Sequence, residues 1–457
     1  MGVCQVDKTE MLEYTNKVMN TLQGYICNSR PRRFGKSITA NMLTAYYSKG
    51  CDSREVFSGL EITEDETFDR YLNKYDTVFL NVQEFLSRSS DVKELIARIK
   101  QRVIRELTRQ YPDVELFDST DLAETMQDIY TESKCPFVLI IDEWDCIFRE
   151  FKNDKEAQEK YLDFLRAWLK DQSYVALAYM TGILPVKKYG SHSALNMFTE
   201  YSMTEPGDMA PYFGFTEDEV QTLCETYQMN YEEARAWYDG YGLVQHSKDG
   251  DICYSMYSPK SVVEAMLRHK FGTYWNQTET YEALKLYIQM NLDGLKDAVV
   301  QMLAGEKVPI NTGTFANDMT SFSSKDDVLT LLVHLGYLTY DSEKETVAIP
   351  NKEVSQEYIN AISTMGWHEV MDAVQASRKL LQALWNMDAD ICYIPRKLYA
   401  DKPAIVVELK WDKAAEGAIA QIKEKQYVNA LKEYRGNLLL AGINYDRETK
   451  KHYCIIE

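Results

Sequence analysis

One stretch near the amino end decides the fold: Ser29-Arg30-Pro31-Arg32-Arg33-Phe34-Gly35-Lys36-Ser37. Its last three residues are typical of a phosphate-binding loop, in which backbone N–H groups face the β-phosphate, a lysine reaches the β- and γ-oxygens and a serine hydroxyl binds Mg²⁺. The helix-period run that follows, Ile38 to Leu43, would add the positive end of its dipole. The stretch departs from the usual pattern at Arg30, where a glycine is expected. These residues predict a site for phosphate groups at the start of a helix.

A second stretch supplies the acidic half of such a site. Phe137-Val138-Leu139-Ile140-Ile141 is a continuous apolar run, the pattern of a strand buried on both faces of a parallel sheet. Asp142 and Glu143 follow at its carboxyl end, which is where parallel sheets place their ligands. We therefore expect Asp142 to hold Mg²⁺ together with Ser37, and Glu143 to activate the attacking water. For the acidic pair taken alone, a loop after a core strand is the alternative.

Further candidate nucleotide contacts lie in the loop and beyond it. Arg32 and Arg33 stand beside the phosphate site of an acidic chain, so we expect one of them to contact nucleotide phosphate, in its own or a neighbouring subunit. A salt-bridged loop is the alternative for both. Phe34 completes the loop before the Gly-Lys-Ser turn. Thr181 ends an apolar strand, where its hydroxyl either senses the γ-phosphate or caps the strand.

Composition limits the kind of protein. The 457 residues are enough for two to four domains, and a hydrophobic content of 45% is ordinary for a globular chain. The sequence has no apolar run near the roughly 18 residues of a membrane span, and its amino end lacks a signal-peptide pattern. Its nine cysteines include no C-x-x-C pair, which fits free thiols in a reducing compartment. We expect a cytoplasmic protein with no membrane partner.

The charge is strongly acidic but uneven. A formal net charge of −19 argues against a generally basic nucleic-acid-binding protein. Residues 391–457 nevertheless carry 12 Lys and Arg against 9 Asp and Glu. Only this carboxyl-terminal part has an electrostatic field that would not repel the phosphate backbone of a nucleic acid. The balance permits DNA as a partner and does not argue for it.

The order of predicted elements divides the chain into three parts. Strand and helix patterns alternate at first, as in a doubly wound parallel sheet. The next part is mostly helical, with a capping box at Thr216 and Glu219 and a helix start at Pro259. A helix, Ser324–Leu335, then precedes a hairpin around Asp341-Ser342-Glu343-Lys344, which is typical of a winged-helix-like unit. The expected α/β architecture is a P-loop domain over 1–205, a helical lid with the winged-helix-like segment over 206–355, and a further α/β domain over 356–457.

The last part carries a second constellation. Asp390 begins one predicted strand, and residues 404–410 form another, on which Glu408 and Lys410 share a face because side chains repeat every two residues. If the two strands are neighbours, Asp390 and Glu408 would hold a divalent ion, and Lys410 would polarise a water for phosphodiester attack. Gln421 lies on the helix that follows. An exposed Glu-x-Lys on a strand is the simpler alternative.

These motifs resemble a bacterial family that couples an AAA-ATPase-like module to a PD-(D/E)XK nuclease-like module. The resemblance extends over nearly the whole chain, and Arg30 in place of the first loop glycine is usual in that family. It implies ATP and Mg²⁺ as cofactors, an ATP site at Lys36, Ser37, Asp142 and Glu143, and a nuclease-like site at Asp390, Glu408, Lys410 and Gln421. The matching stretches are 6–9, 30–37, 142–145, 181–183, 214–216, 237–241, 407–410 and 421–427.

One segment departs from the family pattern. Between Ala376 and Asp390 the sequence has no β-branched strand and no glycine, where the nuclease-like fold has a first strand and a Gly-rich turn. A PD-(D/E)XK sheet shortened in this way would expose an edge, so either the nuclease activity is lost or the edge pairs with another chain in a homo-oligomer. Three functions remain open: an ATPase that gates a metal-dependent DNA endonuclease, an ATP-driven switch or scaffold whose nuclease-like module only binds, and a structural protein with a degenerate nucleotide loop.

Overall fold

The protein is described by a computed structural model in two units. It covers residues 6–186, 195–248, 250–275, 280–290, 292–316, 320–365, 367, 404–411, 415–424, 438–446 and 451–456. Contacts between residues divide the chain into unit 1, Met1–Val374, and unit 2, Gln375–Glu457. The domain boundary predicted between residues 355 and 356 therefore falls inside unit 1.

Unit 1 is built on a five-stranded parallel sheet. The strands are β1 (Tyr25–Ser29), β2 (Asp76–Asn81), β3 (Phe137–Asp142), β4 (Val175–Gly182) and β5 (Thr199–Tyr201), in the spatial order β2-β3-β4-β1-β5. The predicted α/β fold with a parallel sheet is confirmed. Because the strands are parallel, their carboxyl ends meet at one edge. β4 separates the strand that enters the loop from the strand that ends in Asp142.

Helices pack on both faces of this sheet. Alternate residues of β3 belong to two different hydrophobic clusters, Leu139 and Ile141 to one and Val138 and Ile140 to the other. The alternation follows from the two-residue repeat of a strand and defines a doubly wound sheet. The helices are α1 (Met11–Val18), α2 (Lys36–Tyr47), α3 (Arg54–Phe57), α4 (Phe68–Tyr71), α5 (Val82–Leu86), α6 (Val92–Gln110), α7 (Leu122–Ser133), α8 (Cys146–Glu150) and α9 (Lys155–Leu169).

Helix α6 illustrates how the sequence forms these elements. The Asp91 side chain accepts a hydrogen bond from Glu94 N at 2.8 Å and so caps the helix start. Leu95, Ile99 and Val103 recur at intervals of one turn and are all buried. The helix therefore joins the hydrophobic core through one apolar stripe, packs against α5, α7 and α9, and exposes its charged face.

The remainder of unit 1 contains two small antiparallel sheets, whereas the sequence predicted a mostly helical lid. Their strands are β6 (Phe215–Thr216), β7 (Tyr241–Gln245) and β8 (Ile252–Tyr257) in the order β6-β8-β7, then β9 (Val308–Pro309), β10 (Thr339–Asp341) and β11 (Thr346–Ala348) in the order β10-β11-β9. The sequence analysis missed the first sheet, although residues 246–251, which join β7 to β8, include an Asp-Gly pair of the kind that is typical of hairpin turns. The helices are α10 (Glu217–Tyr227), α11 (Tyr231–Tyr238), α12 (Pro259–Arg268), α13 (Thr280–Ile288), α14 (Leu295–Leu303) and α15 (Lys325–His334).

Local signals in this part agree with the structure. Thr216 and Glu219 form the predicted capping box at the start of α10. The hairpin predicted after α15 is formed by β10 and β11, with Thr339 paired to Ala348. A further helix, α16 (Lys352–Thr364), follows the hairpin and packs against α11 and α13. It belongs to unit 1, although the sequence placed most of it in the last domain.

The described residues of unit 2 form a mixed three-stranded sheet. β12 (Ala404–Trp411) and β13 (Leu438–Asp446) are parallel and joined through α17 (Ala415–Glu424), and β14 (Lys451–Ile456) pairs antiparallel with β13. Ile419 and Ile422 of α17 are buried. The strand predicted from Asp390, and the segment before it, lie outside the described residues.

Candidate nucleotide-binding site

The loop between β1 and α2 leaves room for phosphate groups. Gly35 has a left-handed backbone with φ of 91°. A Cβ placed on Gly35 would meet no atom within 4 Å beyond its chain neighbours. The glycine thus permits the turn and leaves open space in front of α2. First-turn N–H groups of a helix have no intrahelical acceptor, and they lie at the positive end of its dipole. The loop therefore offers an anion site of the expected kind.

The lysine of the motif is held inside the loop. Lys36 Nζ donates to Arg30 O at 3.0 Å and to Pro31 O at 2.9 Å. The side chain is buried. Burial lowers the pKa of its amine, although nearby carboxylates act in the opposite direction. The amine is thus bound to carbonyl oxygens of its own loop, which phosphate oxygens can replace.

A hydrogen bond joins the two halves of the motif. Ser37 Oγ donates to Asp142 Oδ2 at 2.7 Å, across the end of β4. Asn81 Nδ2, at the end of β2, donates to the same oxygen at 3.4 Å. Asp142 is buried, and burial raises the pKa of its carboxyl group while the Ser37 hydrogen bond lowers it. The sequence prediction that Ser37 and Asp142 lie together agrees with this geometry.

This pair fits a magnesium ion. Hydroxyl and carboxylate oxygens are hard ligands, and Mg²⁺ is usually held by one or two protein groups together with substrate phosphates and water. Within the described ranges, no group of three or more His, Cys, Asp or Glu side chains is arranged to hold a metal alone. An ion completed by phosphate oxygens and water needs no such group.

Glu143 lies next to the pair and is itself held in place. Its backbone is left-handed, with φ of 56°, and its N–H donates to Asp142 Oδ1 at 3.0 Å. Its carboxylate forms an ion pair with Arg149 Nη2 of α8. Arg149 Nε lies 3.4 Å from Asp145 Oδ2, and Asp145 is fully buried. The residue predicted to activate water is therefore bound to an arginine that the sequence analysis did not select.

Thr181 contacts the neighbouring strand. It is the register partner of Asp142 on β4 and is fully buried. Its Oγ1 donates to Asn28 O of β1 at 3.1 Å. The hydroxyl thus ties β4 to the strand that carries the loop. Of the two roles predicted for Thr181, this contact favours the structural one.

Arg30 occupies the place of the expected glycine and anchors the loop. The side chain is fully buried. Its Nη1 donates to Tyr201 O of β5 at 2.9 Å and its Nη2 to Met209 O at 3.4 Å. The guanidinium also lies 5.5 Å from the centre of the Phe213 ring. The loop is consequently fastened to the edge of the sheet by a side chain that glycine would lack.

The next loop residues contact the second part of unit 1. Arg33, one of the two arginines predicted to contact phosphate, donates from Nη1 to Tyr274 O at 3.0 Å and to Trp275 O at 2.9 Å. Phe34 is fully buried, with its ring edge-on to Trp275 at 6.3 Å between centres. Arg32 is exposed. Arg33 and Phe34 therefore hold the loop in place, a role that the motif alone did not reveal.

The second predicted site is described only in part. Asp390 lies outside the described residues. Glu408 is half-buried on β12, opposite Gly442 of β13, and Lys410 follows two positions later on the same strand. Gln421 is half-buried on α17. The structure brings Glu408 and Gln421 into one strand–helix unit, and the pairing of Asp390 with Glu408 stays a prediction.

Sequence reasoning missed three residues of the first site: Asn81, Asp145 and Arg149. Asn81 ends a strand in the same way as Asp142, which is a usable signal in a parallel sheet. Asp145 and Arg149 have opposite charges at a separation of four, the spacing of an ion pair on a helix. Neither signal is strong without the fold. Among the described residues, no helix is long and apolar enough to cross a lipid bilayer.

The amino-terminal part of the chain, which carries this site, is similar to an AAA-ATPase-like family of proteins. Residues 1–191 match the model of a family described as Predicted AAA-ATPase, a match that includes the loop, Asp142, Glu143 and Thr181. The match covers less than half of the 457 residues and ends before the part that the sequence predicted to be nuclease-like. A search of curated proteins finds none that matches this chain.

Several solved structures are similar to this chain at low identity. The ORC2 protein of Aeropyrum pernix, in ADPNP–ADP complexes, has 10% identity and a TM-score of 0.33, with 81% of this chain and 94% of that chain covered. Cdc6p from Pyrobaculum aerophilum has 9% identity and a TM-score of 0.26, covering 78% and 93%. The ORC1 protein of Aeropyrum pernix in complex with DNA has 9% identity and a TM-score of 0.26, covering 79% and 93%. TM-scores in this range support no conclusion about function.

Proposed function

We propose that unit 1 is a Mg²⁺-dependent ATPase whose nucleotide cycle regulates the carboxyl-terminal nuclease-like module acting on nucleic acid. The observation that carries the ATPase part is the Ser37–Asp142 hydrogen bond of 2.7 Å beside the open space at Gly35. A hydroxyl, a buried carboxylate and a buried amine converge there at the start of a helix. These groups are the ones that nucleotide hydrolysis requires.

Each group has a separate task in this proposal. The first turn of α2 and Lys36 bind the β- and γ-phosphates. Ser37 and Asp142 hold the metal, and Mg²⁺, when bound, neutralises charge that develops on the transferred phosphoryl group. Glu143 accepts a proton from the attacking water, because it adjoins the metal-binding carboxylate and keeps 23% of its side chain exposed. A degenerate structural loop is disfavoured, since Lys36, Ser37 and Asp142 retain the required relations.

The regulatory part rests on the contacts of the loop. Arg33 and Phe34 bind Tyr274 and Trp275, which are also bound by a side chain of α16. Helix α16 is the last helix of unit 1 that the structure describes before unit 2 begins in sequence. A change in the loop on nucleotide binding would therefore reach the helix that precedes the nuclease-like module.

A nucleotide-binding experiment tests the ATPase. We expect Mg²⁺-ATP and Mg²⁺-ADP to raise the melting temperature of the full chain, because a ligand that binds only the folded state stabilises it. Lys36→Ala should remove this rise. Because it also leaves the carbonyl oxygens of Arg30 and Pro31 without the lysine donor, the shift is measured from the variant's own ligand-free melting temperature. Release of phosphate from ATP by wild type, and not by Lys36→Ala, completes the test. A wild-type protein with no nucleotide-dependent shift contradicts the proposal.

The alternative is an ATP-driven switch or scaffold with a catalytically inactive nuclease-like module. A cleavage assay on plasmid and single-stranded DNA, with Mg²⁺ or Mn²⁺ and with or without ATP, separates the two. Cleavage that depends on metal and changes with ATP supports a gated nuclease. DNA binding without cleavage supports the switch, and analytical ultracentrifugation then shows whether the module acts by forming a homo-oligomer.

A further inference from the structure

A buried ion-pair network lies behind the residue proposed to activate water. It consists of Glu143, Asp145 and Arg149, at the carboxyl end of β3 and on α8. The side chain of Arg149 is 9% exposed and forms an ion pair with Glu143 through Nη2. Its Nε lies 3.4 Å from Asp145 Oδ2. One guanidinium thus contacts two carboxylates, a fully buried one on Asp145 and a partly exposed one on Glu143.

Asp145 is the fixed end of this network. It is fully buried, and its Oδ2 accepts hydrogen bonds from Ile183 N at 3.0 Å and Leu184 N at 2.9 Å. A Cβ on Gly182 would lie 2.7 Å from Asp145 Oδ1, so only glycine fits beside the carboxylate. Asp145 therefore fastens the turn after β3 to the end of β4. Arg149 is bound to a group that is itself held by backbone.

Glu143 is restrained at both ends. A non-glycine residue with φ of 56° occupies a sparsely populated region and keeps it only where its surroundings impose it. Cys146 N donates to Glu143 O at 3.1 Å and Trp144 N donates to Thr181 O at 3.2 Å, which fixes the turn. The far end of the side chain is fixed by Arg149. The carboxylate therefore has a set direction before any ligand binds.

We infer that Arg149 is a positioning residue for Glu143 in the hydrolysis reaction, with Asp145 as its anchor. The inference rests on the proposed ATPase function. A base must hold its oxygen within hydrogen-bonding distance of the attacking water, and a displacement of about 1 Å can cost on the order of 100-fold in rate. The planar guanidinium can contact both carboxylates at once, whereas a lysine amine offers only a point charge. Arg149 acts through Glu143 and not on the nucleotide.

Steady-state kinetics of the full chain test this inference. Arg149→Ala should lower the kcat of ATP hydrolysis about 10- to 100-fold, the usual cost of losing a group that orients a catalytic one. The KM for ATP and the nucleotide-dependent rise in melting temperature should stay within about twofold of wild type, since the nucleotide is bound elsewhere. Arg149→Lys keeps the positive charge beside Asp145 and should recover part of kcat. Arg98→Ala is the control. Arg98 also forms an ion pair with a residue four positions away, Glu94, but on the exposed face of α6, so its removal should leave kcat unchanged.

A double-mutant comparison separates positioning from other roles. If Arg149 acts through Glu143, Arg149→Ala should lower kcat no further in a Glu143→Gln background. An independent further loss there, an increase in KM as the main effect, or an unchanged kcat in a folded Arg149→Ala protein would each overturn the inference. If Arg149→Ala does not fold, the same criteria apply to Arg149→Lys. A wild-type protein that does not hydrolyse ATP contradicts the proposed function instead, so the two failures are distinct.

Discussion

Arg33 and Glu353 bind opposite sides of the same dipeptide. Arg33 Nη1 donates to the carbonyl oxygens of Tyr274 and Trp275, at 3.0 and 2.9 Å. Glu353 Oε1 accepts the N–H groups of Tyr274 and Trp275, at 2.5 and 2.8 Å. Glu353 is buried on α16, and burial raises the pKa of its carboxyl group. The phosphate loop and α16 are consequently joined through two residues that are distant from both in sequence.

The same junction is closely packed. The Phe34 ring is edge-on to Tyr241, with 5.2 Å between ring centres, and Tyr241 Oη donates to Gly336 O at 2.7 Å. Gly336 has φ of 85°, and a Cβ there would lie 2.8 Å from Pro31 Cβ. Glycine is therefore required where the turn after α15 meets the loop. These contacts make the loop part of the core and not a free flap.

We expect the main role of Arg33 to be stabilisation of the folded loop and not contact with nucleotide phosphate. Arg33→Ala leaves two buried carbonyl oxygens without a donor and should lower the free energy of unfolding by about 1–3 kcal/mol. The melting temperature of the ligand-free protein should fall, and nucleotide affinity should fall with it. Arg32→Ala is the matched control, because Arg32 is exposed. A variant Arg33→Ala with a normal ligand-free melting temperature and a reduced nucleotide shift would show that Arg33 contacts phosphate.

Glu143→Gln should separate binding from hydrolysis. The amide keeps the size of the side chain but does not accept a proton, and loss of a general base typically costs 10²- to 10⁴-fold in rate. ATP should still raise the melting temperature, and the bound nucleotide should remain ATP when recovered and analysed by chromatography. Glu150→Gln, an exposed carboxylate on the same helix as Arg149, is the control and should hydrolyse ATP normally. Recovery of ADP from Glu143→Gln at the wild-type rate would assign the proton acceptor elsewhere.

Much of this site follows from the sequence, and the reason is local chemistry. The Gly35-Lys36-Ser37 turn and the Asp142-Glu143 pair specify their own structure, since a left-handed glycine begins a helix and an apolar run forms a buried strand. Their meeting follows from parallel strands with carboxyl ends at one edge. The Ser37–Asp142 contact spans more than a hundred residues and was nevertheless predictable.

The rest depended on tertiary partners that no local pattern reveals. Arg33 seemed suited to phosphate because it adjoins the predicted phosphate-binding loop, but its side chain is bound to the carbonyl groups of Tyr274 and Trp275. The strands β7 and β8 are an exception, because the Asp249-Gly250 pair between them is a local turn signal that the sequence prediction did not use. No local sequence pattern selects Arg149, and only its contact with the buried Asp145 distinguishes it. Local sequence patterns therefore select the residues proposed to bind the nucleotide, whereas the residues that hold them in place depend on tertiary contacts.

His334 should make stability depend on pH. It is buried on α15 beside the Phe315 ring, and burial, aided by the charge of Arg30, lowers the pKa of its imidazole from 6.5 to about 3. In the unfolded chain the imidazole of His334 has its usual pKa of 6.5. Between pH 6.5 and about 3, His334 therefore binds more protons in the unfolded state than in the folded state. The contribution of His334 to the free energy of unfolding is therefore complete above pH 6.5. It is lost as the pH falls, and the loss is roughly 2 kcal/mol at pH 5.

Urea unfolding at pH 7 and pH 5 checks this expectation. Other groups titrate in the same range, so the decisive quantity is the difference between wild type and His334→Gln, which cannot gain the proton. The loss of stability between the two pH values should be smaller in that variant. His246→Gln, whose side chain is 72% exposed in wild type, should behave like wild type. Equal pH dependence in wild type and His334→Gln would contradict the expected effect of burial.

The carboxyl-terminal unit should bind a divalent ion through Asp390 and Glu408. Glu408 lies half-buried on a strand of a parallel pair, with Lys410 on the same strand and Gln421 on the connecting helix. Two carboxylates on neighbouring strands would provide hard oxygen ligands for Mg²⁺ or Mn²⁺. The titration is done by calorimetry with Mn²⁺ on the full chain carrying Lys36→Ala, which weakens metal binding linked to nucleotide. It should show a metal site that the double substitution Asp390→Asn/Glu408→Gln removes. Glu150→Gln should leave the titration unchanged, and identical titrations for wild type and the double variant would refute the site.

Where DNA is cut, Lys410→Ala should abolish cutting, because the lysine orients or polarises the attacking water. Cutting that survives Lys410→Ala would place the activity outside this strand.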